Sequence, residues 1–260
     1  MANVRKFLGF SVAFTGSMLL IGVAFLDILL RLRRLRADDA ARRTAVAEAT
    51  NAWAETLLLF VCRWLEMRVD VAPPAGDARP SIVIANHRST LDVFFALYAL
   101  RRHGIRNLRW VAKQAVAGYP LIGWMCTVSG GIYVRRNRDP RDLDDIRAGA
   151  ARAAADGASP FIFVEGTRQP LGTGGFRNLG PPKRGGFEAL RTALPDYPVL
   201  RLLIRRKGSS GKTMFQSADY FRDQVLVEVE QIDAATVAAD PQWLTNEWRR
   251  MDALLDAAPR

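Results

Sequence analysis

A histidine and an aspartate stand five positions apart in the stretch Asn86-His87-Arg88-Ser89-Thr90-Leu91-Asp92, between two apolar runs. Residues five apart on a regular helix lie about 140° apart around its axis, so inside one helix the two cannot meet. They meet if His87 occupies a strand-to-helix turn and Asp92 the first turn of the helix. One imidazole nitrogen is then held by the carboxylate, which fixes the tautomer and stabilises the imidazolium. The other nitrogen is free to take a proton from an alcohol. A structural reading competes: Ser89-x-x-Asp92 before an apolar run is also a capping box, in which Asp92 only satisfies backbone donors. These seven residues leave both readings open.

Basic residues at other strand ends shift the balance. Lys113 closes the apolar pattern LRWVAK, Arg136 follows GIYV, and Glu165-Gly166-Thr167-Arg168 follows PFIF and Val164. Open α/β sheets gather ligand groups at the carboxyl ends of their strands. His87, Lys113, Arg136 and Arg168 are therefore expected on one rim, a general base beside cations, and arginine's planar fork suits a phosphate. No Gly-x-Ser-x-Gly elbow supplies a serine or cysteine nucleophile. With two histidines and no carboxylates clustered around them, a catalytic metal has little support. GSSGKT (208–213) has Arg206 where a phosphate loop needs its first glycine, and GTGGFR (172–177) ends in Arg177 rather than a small residue. His103, set among arginines, reads as a surface residue.

The elements that must position these groups appear as alternating patterns. Strands are expected at 81–85, 108–113, 131–134, 160–164, 198–204 and 224–230. Helices are expected at 91–100, from Asp139-Pro140 through Asp156, near 187–194 and at 243–255. Such alternation predicts an α/β fold, a mostly buried mixed sheet flanked by helices, over residues 72–260. The linker APPAGDARP (72–80) sets this domain off from residues 1–71, a membrane-anchoring helical segment. Phe7 to Leu26 is a 20-residue run without a charge, enough to cross a hydrocarbon core of about 30 Å. It is too long for a signal peptide, and Asp27-Ile-Leu-Leu-Arg is a poor cleavage site. Ala45 to Leu65 is a second mostly apolar stretch, so a hairpin dipping into one leaflet is the alternative to a spanning helix, which is preferred. Arg31, Arg33, Arg34 and Arg36 put the heavier positive flank after the run, so the catalytic part is expected on the cytoplasmic side of the cytoplasmic membrane.

Charge agrees with that placement. The 260 residues carry 37 Lys and Arg against 26 Asp and Glu, a net +11, which suits an anionic partner: nucleic acid, an anionic membrane, or a phosphorylated substrate. Two cysteines, Cys62 and Cys126, cannot build a disulfide framework and read as buried thiols.

NHRSTLD, GGIYVRR and VEGTR, in this order, resemble the signature blocks of the glycerolipid acyltransferases that acylate lysophosphatidic acid. Asn86, His87 and Asp92 match that family's Asn-His-x4-Asp block. Gly130, Tyr133 and Arg136 match its Gly-x-x-Phe-x-x-Arg block, Glu165 to Arg168 its Glu-Gly-Thr-Arg block, and Pro198 its proline before an apolar strand. The resemblance runs from about residue 80 to 205. Val164 stands where many members carry proline and Arg135 where many carry an acidic residue; both bear on the acceptor and not on the reaction.

The resemblance implies a 1-acylglycerol-3-phosphate O-acyltransferase of phospholipid biosynthesis. His87 would act as general base on the sn-2 hydroxyl of lysophosphatidic acid, whose oxygen attacks the thioester of acyl-CoA or acyl carrier protein to give phosphatidic acid. Asp92 would orient His87. Lys113, Arg136, Glu165, Gly166, Thr167 and Arg168 would bind the acceptor, with Arg136 and Arg168 on its phosphate and Glu165 holding a neighbouring arginine or a glycerol hydroxyl. No cofactor or metal is implied, since the acyl donor is itself a substrate. Phe94, Phe95 and Trp124 either line an apolar groove or pack the core. Two rivals are an enzyme acting on another lysophospholipid or an amino-lipid, and a non-catalytic membrane-tethered binder of anionic lipid or nucleic acid. Intact His87, Asp92, Glu165 and Arg168 speak against the second, so no nucleic-acid partner is expected.

Overall fold

The computed structural model describes residues 2–35, 38–73, 78–136, 139–167, 174–206 and 220–256. Two long helices, α1 (Ala2–Arg34) and α2 (Asp39–Leu65), lead into β1 (Arg68–Val71) and then β2 (Ile82–Ala85), α3 (Asp92–Arg102) and β3 (Leu108–Lys113). A 3-10 turn (Gln114–Gly118), α4 (Ile122–Val128) and β4 (Ile132–Val134) follow, then α5 (Arg141–Ala155), β5 (Ser159–Phe163) and α6 (Arg184–Ala193). The chain closes with β6 (Val199–Arg206), β7 (Gln224–Ile232), α7 (Ala234–Ala239) and α8 (Trp243–Asp256). β1, α4 and α7 were not anticipated: each is 4 to 7 residues long, too short to show a period. β1 also lies inside the segment assigned to the anchor, so the sheet begins ahead of the linker.

The expected α/β fold is present as one seven-stranded sheet in the order β1-β7-β6-β2-β5-β3-β4. All neighbours run parallel except β6 and β7, which pair antiparallel from Val199↔Ile232 to Arg206↔Val225. Central β2 is buried at every position, as a parallel strand covered on both faces must be. Successive side chains leave a strand on opposite faces. Val83 and Ala85 accordingly join α2, α3 and β7 in one core, while Ile82 and Ile84 join α5, α6 and α8 in the other. The chain enters β2 at this mid-sheet position and turns toward β3 on one side, then later toward β6 on the other. Such a reversal opens a crevice at the carboxyl ends of the strands, and residue 87 sits there.

The helical pair is fastened to this domain. Gly9, Ala13, Ser17, Ala24, Ile28 and Leu32 form the buried stripe of α1, spaced for one helix face. A Cβ on Gly16 would sit 2.2 Å from the Phe60 ring of α2, so glycine there lets the two helices approach. On the outer flank, Phe7, Leu8, Leu19, Val23 and Leu26 are exposed. Arg43 of α2 donates to Asp156 through Nε at 2.7 Å and Nη2 at 2.8 Å, and buried Arg109 of β3 donates to the same carboxylate at 2.9 Å. Asn51 of α2 donates to the Arg106 carbonyl.

Two side-chain expectations change. His103 is buried, 9% exposed, with Nε2 3.1 Å from the Ala72 carbonyl; it ties the end of α3 to the segment after β1, and burial lowers its pKa. Cys62 and Cys126 are free and half-buried rather than fully buried, and burial pushes the Cys62 thiol up to about 12, far from thiolate.

Asp156 faces two arginines and is itself buried, and the hydrogen bond from Arg43 lowers its carboxyl below the ordinary 3.8. The stability it contributes is therefore present at neutral pH and lost as pH falls through the acid range. Asp156→Ala leaves Arg109 as an unpaired buried cation. It should cost about 3–5 kcal/mol in equilibrium unfolding and release α2 to protease.

Candidate active site

Asn86 continues the ladder beyond the end of β2. Its Nδ2 donates to the Ile204 carbonyl at 3.0 Å and its Oδ1 accepts the Ile204 N–H at 2.8 Å, so a side chain pairs with β6 where backbone pairing stops. His87 is thereby carried past the sheet edge. Its ring stacks on Phe163, the last residue of β5, with centroids 4.1 Å apart and planes 17° from parallel. Nδ1 lies 3.3 Å from Asp92 Oδ2. An imidazole facing a carboxylate carries its proton on that nitrogen, which leaves Nε2 as a bare acceptor without a partner among the described residues. The side chain of His87 is 17% exposed and that of Asp92 2%, so solvent or a ligand reaches the ring and not the carboxylate.

Asp92 also holds the turn. Oδ2 accepts the backbone N–H of Arg88 at 2.5 Å and of Ser89 at 2.6 Å, and Oδ1 accepts the Ser89 hydroxyl at 3.3 Å. The Ser89 hydroxyl in turn accepts the Leu91 N–H at 3.1 Å. The partner of the turn's amides and of the imidazole is one side chain, but no capping box forms: the N-cap of α3 is Leu91, without a side-chain hydrogen bond, and the Asp92 N–H goes to the Ser89 carbonyl.

Glu165 crosses between loops. Oε2 accepts the His87 N–H at 3.1 Å and Oε1 the Gly180 N–H at 3.3 Å. Its hydrogen-bond partners among the described residues are these two backbone amides, and the charge of Arg88 also acts on it. Burial pushes its carboxyl up to about 8 despite those two amides. Gly166 has φ +71, and a Cβ there would meet the Lys183 side chain at 2.9 Å. Lys183 thus lies over this turn, a cation that the motifs did not single out. Thr167 is exposed beside it. Arg168 lies outside the described residues.

Lys113 ends β3 and Arg136 lies two residues beyond β4, two and three strands along from β2. At about 4.8 Å per strand that is roughly 10 and 14 Å along the rim. Lys113 is exposed, and neither it nor Arg136 has a side-chain ion pair among the described residues. Asp142 accepts the N–H groups of both Arg135 and Arg136 at 2.7 Å, which holds Arg136 at φ +67, a left-handed conformation that costs energy without glycine. Burial lowers the pKa of Arg136. Arg135 instead points to Asp145 on the surface. Phe95 is fully buried in the core, Phe94 packs against it, and Trp124 meets Phe25 of α1 edge-on at 4.9 Å. Sequence reasoning passed over Arg88, whose Nε is buried without a hydrogen-bond partner and whose charge is set against Asp92 and Glu165. Its position next to His87 was the available signal.

A histidine–carboxylate pair thus stands at the topological switch point of an α/β sheet, with cations along the same strand ends. The chain belongs to the acyltransferase family, whose model matches residues 67–201, just over half of its length. It is 33% identical over 127 residues to a chloroplastic 1-acyl-sn-glycerol-3-phosphate acyltransferase of Brassica napus, covering 48% of this chain and 33% of that protein. It is 38% identical over 85 residues to the lyso-ornithine lipid O-acyltransferase of Rhodobacter capsulatus, covering 33% of this chain and 28% of that one. The match thus spans about a third of these relatives' own length. The crystal structure of the 1-acyl-sn-glycerophosphate (LPA) acyltransferase PlsC from Thermotoga maritima has the same fold, with a TM-score of 0.70 at 19% identity over 100% of both chains.

Glu165→Gln keeps one acceptor oxygen and turns an amide donor against the other N–H. It should cost about 1–3 kcal/mol in denaturant unfolding at pH 6. Between its ordinary 4.5 and about 8 the folded wild type holds a proton that the unfolded chain has lost. Wild-type stability therefore falls as pH rises through that window, and Glu165→Gln removes this part of the slope.

Proposed function

We propose that the chain transfers an acyl group from acyl-CoA or acyl carrier protein to the sn-2 hydroxyl of lysophosphatidic acid. The reading is carried by one contact, Nδ1 of His87 at 3.3 Å from Asp92 Oδ2 with Nε2 open to the rim. Nε2 takes the hydroxyl proton as its oxygen attacks the thioester carbonyl. The proton then passes to the departing thiolate, and Asp92 stabilises the imidazolium in between. Asp92 and the stacked Phe163 hold His87 in line. Lys113, Arg136 and Arg168 bind the acceptor phosphate, and Glu165, Gly166 and Thr167 bind the remainder of the acceptor. A second reading, in which the acceptor is an amino-lipid, draws on the likeness to the lyso-ornithine lipid enzyme.

Membrane attachment belongs to the same proposal. α1 is long and apolar enough to cross a membrane by length and composition. Its buried stripe nevertheless follows α2, which packs on α3, along most of its length. That fastening favours the hairpin dipping into one leaflet over the spanning helix preferred from sequence. The exposed apolar flank of α1 then lies in the leaflet that holds the acceptor, with the catalytic domain on the cytoplasmic side.

Detergent-purified protein supplied with labelled acyl-CoA or acyl carrier protein should acylate lysophosphatidic acid, with lyso-ornithine lipid run in parallel. His87→Ala should lower transfer about 10²- to 10⁴-fold at unchanged thermal stability; wild-type rates in that variant would refute the base. Leu19→Glu combined with Leu26→Glu should weaken sedimentation with lipid vesicles at least about tenfold while leaving the fold intact by circular dichroism.

A further inference from the structure

The family match stops at residue 201, yet the hydrogen bonds around Asp92 continue beyond it. Tyr220, 1% exposed, stands just before β7. Its hydroxyl donates to the Ser89 hydroxyl. A serine hydroxyl has one proton to give and two lone pairs. Ser89 Oγ accepts from Tyr220 and from the Leu91 N–H, and gives its own proton to Asp92 Oδ1. Nothing on this oxygen is left unused. Direction is also fixed, because a carboxylate can only accept. The chain therefore runs from Tyr220 to Ser89 to Asp92, and the other oxygen of Asp92 faces Nδ1 of His87.

Two further contacts hold the phenol. Its ring lies under the Arg206 guanidinium, 3.6 Å from the ring centroid, and Arg206 pairs with buried Asp223 at 2.6 Å. The other side tilts against Phe95 with centroids 6.1 Å apart. Burial, followed by the charge of Asp92, pushes the phenol up to about 12, so the donor keeps its proton. The charged groups facing this chain are Arg88 in the turn, Glu165 after β5, Arg206 at the end of β6 and Asp223 before β7.

We propose that Tyr220 is a positioning residue for the His87–Asp92 pair, acting through the Ser89 hydroxyl on the carboxylate that faces the imidazole. The inference rests on the proposed role of His87 for its meaning in turnover, but not for its test. A hydroxyl that accepts a hydrogen bond donates more strongly. Without the phenol, Ser89 holds Oδ1 less firmly, more negative charge remains on Asp92, and that charge favours the protonated imidazole. Tyr220→Phe keeps the ring, its stacking on Arg206 and its contact with Phe95, so packing alone predicts no change at His87.

The chain has only two histidines, which makes imidazole NMR a direct readout. Full-length protein labelled with ¹⁵N-histidine, in detergent, is titrated as wild type, Tyr220→Phe, Ser89→Ala and the double variant. His103, held on the Ala72 carbonyl, is the internal control for folding. In Tyr220→Phe the His87 titration midpoint should rise by about half a pH unit while His103 stays in place. Ser89→Ala should shift His87 at least as far, and the double variant no further than Ser89→Ala, since both sit on one chain. A wild-type midpoint in Tyr220→Phe, or shifts that add in the double variant, overturns the relay. Acyl transfer is measured on the same samples. A shifted midpoint in a protein that transfers no acyl group leaves the relay standing and sinks the proposed function. Active wild type with an unshifted variant does the reverse.

Discussion

Oδ2 of Asp92 faces the backbone N–H groups of Arg88 and Ser89 and the ring of His87 at once. The two amides belong to the turn that leaves the sheet, so the carboxylate which folds that turn is the one which aims the imidazole. An imidazole placed this way needs no separate scaffold. The arrangement also explains the five-residue spacing: four residues let the chain bend back from β2, and the fifth begins α3 with its side chain reversed toward the bend. Any change in the turn is felt at the ring, and any change at the carboxylate is felt in the fold.

Around that contact the sheet supplies distance and direction. Asn86 lengthens β2 by one pairing on β6, Phe163 closes β5 under the imidazole, and Glu165 ties the His87 backbone to Gly180. Three strands are thereby locked within two residues of the base. Lys113 and Arg136 stand farther along the same rim. Glu165 belongs to the framework through its backbone partners, and a neutral carboxyl suits that duty in a buried place.

Local patterns carried most of the architecture. β2, β3 and β5 are apolar runs bounded by turn residues, α5 opens on Asp139-Pro140, and the order of the blocks placed His87, Arg136 and Glu165 on strand ends before any coordinates. Where the sequence misled, the deciding contact was long in sequence. His103 looked solvated because its neighbours are arginines, yet its partner is Ala72, thirty-one positions back. The hydrogen bonds of Glu165 to the amides of His87 and Gly180, 78 and 15 positions away, cannot be inferred from spacing. Tyr220 meets Ser89 across 131 positions with no motif around it. Elements shorter than two helical turns, such as α4 and α7, leave no period to detect.

One departure from a parallel sheet has a consequence for how this protein can vary. Because β7 returns antiparallel to β6, the link from Arg206 to Tyr220 begins and ends on the same side as the base, whereas a crossover would have carried it to the far edge. The rim therefore receives Arg206 at the end of β6 and Tyr220 just before β7, stacked on one another. Variation at those two positions would reach Ser89 and, through it, Asp92, while the order of the strands stays as it is.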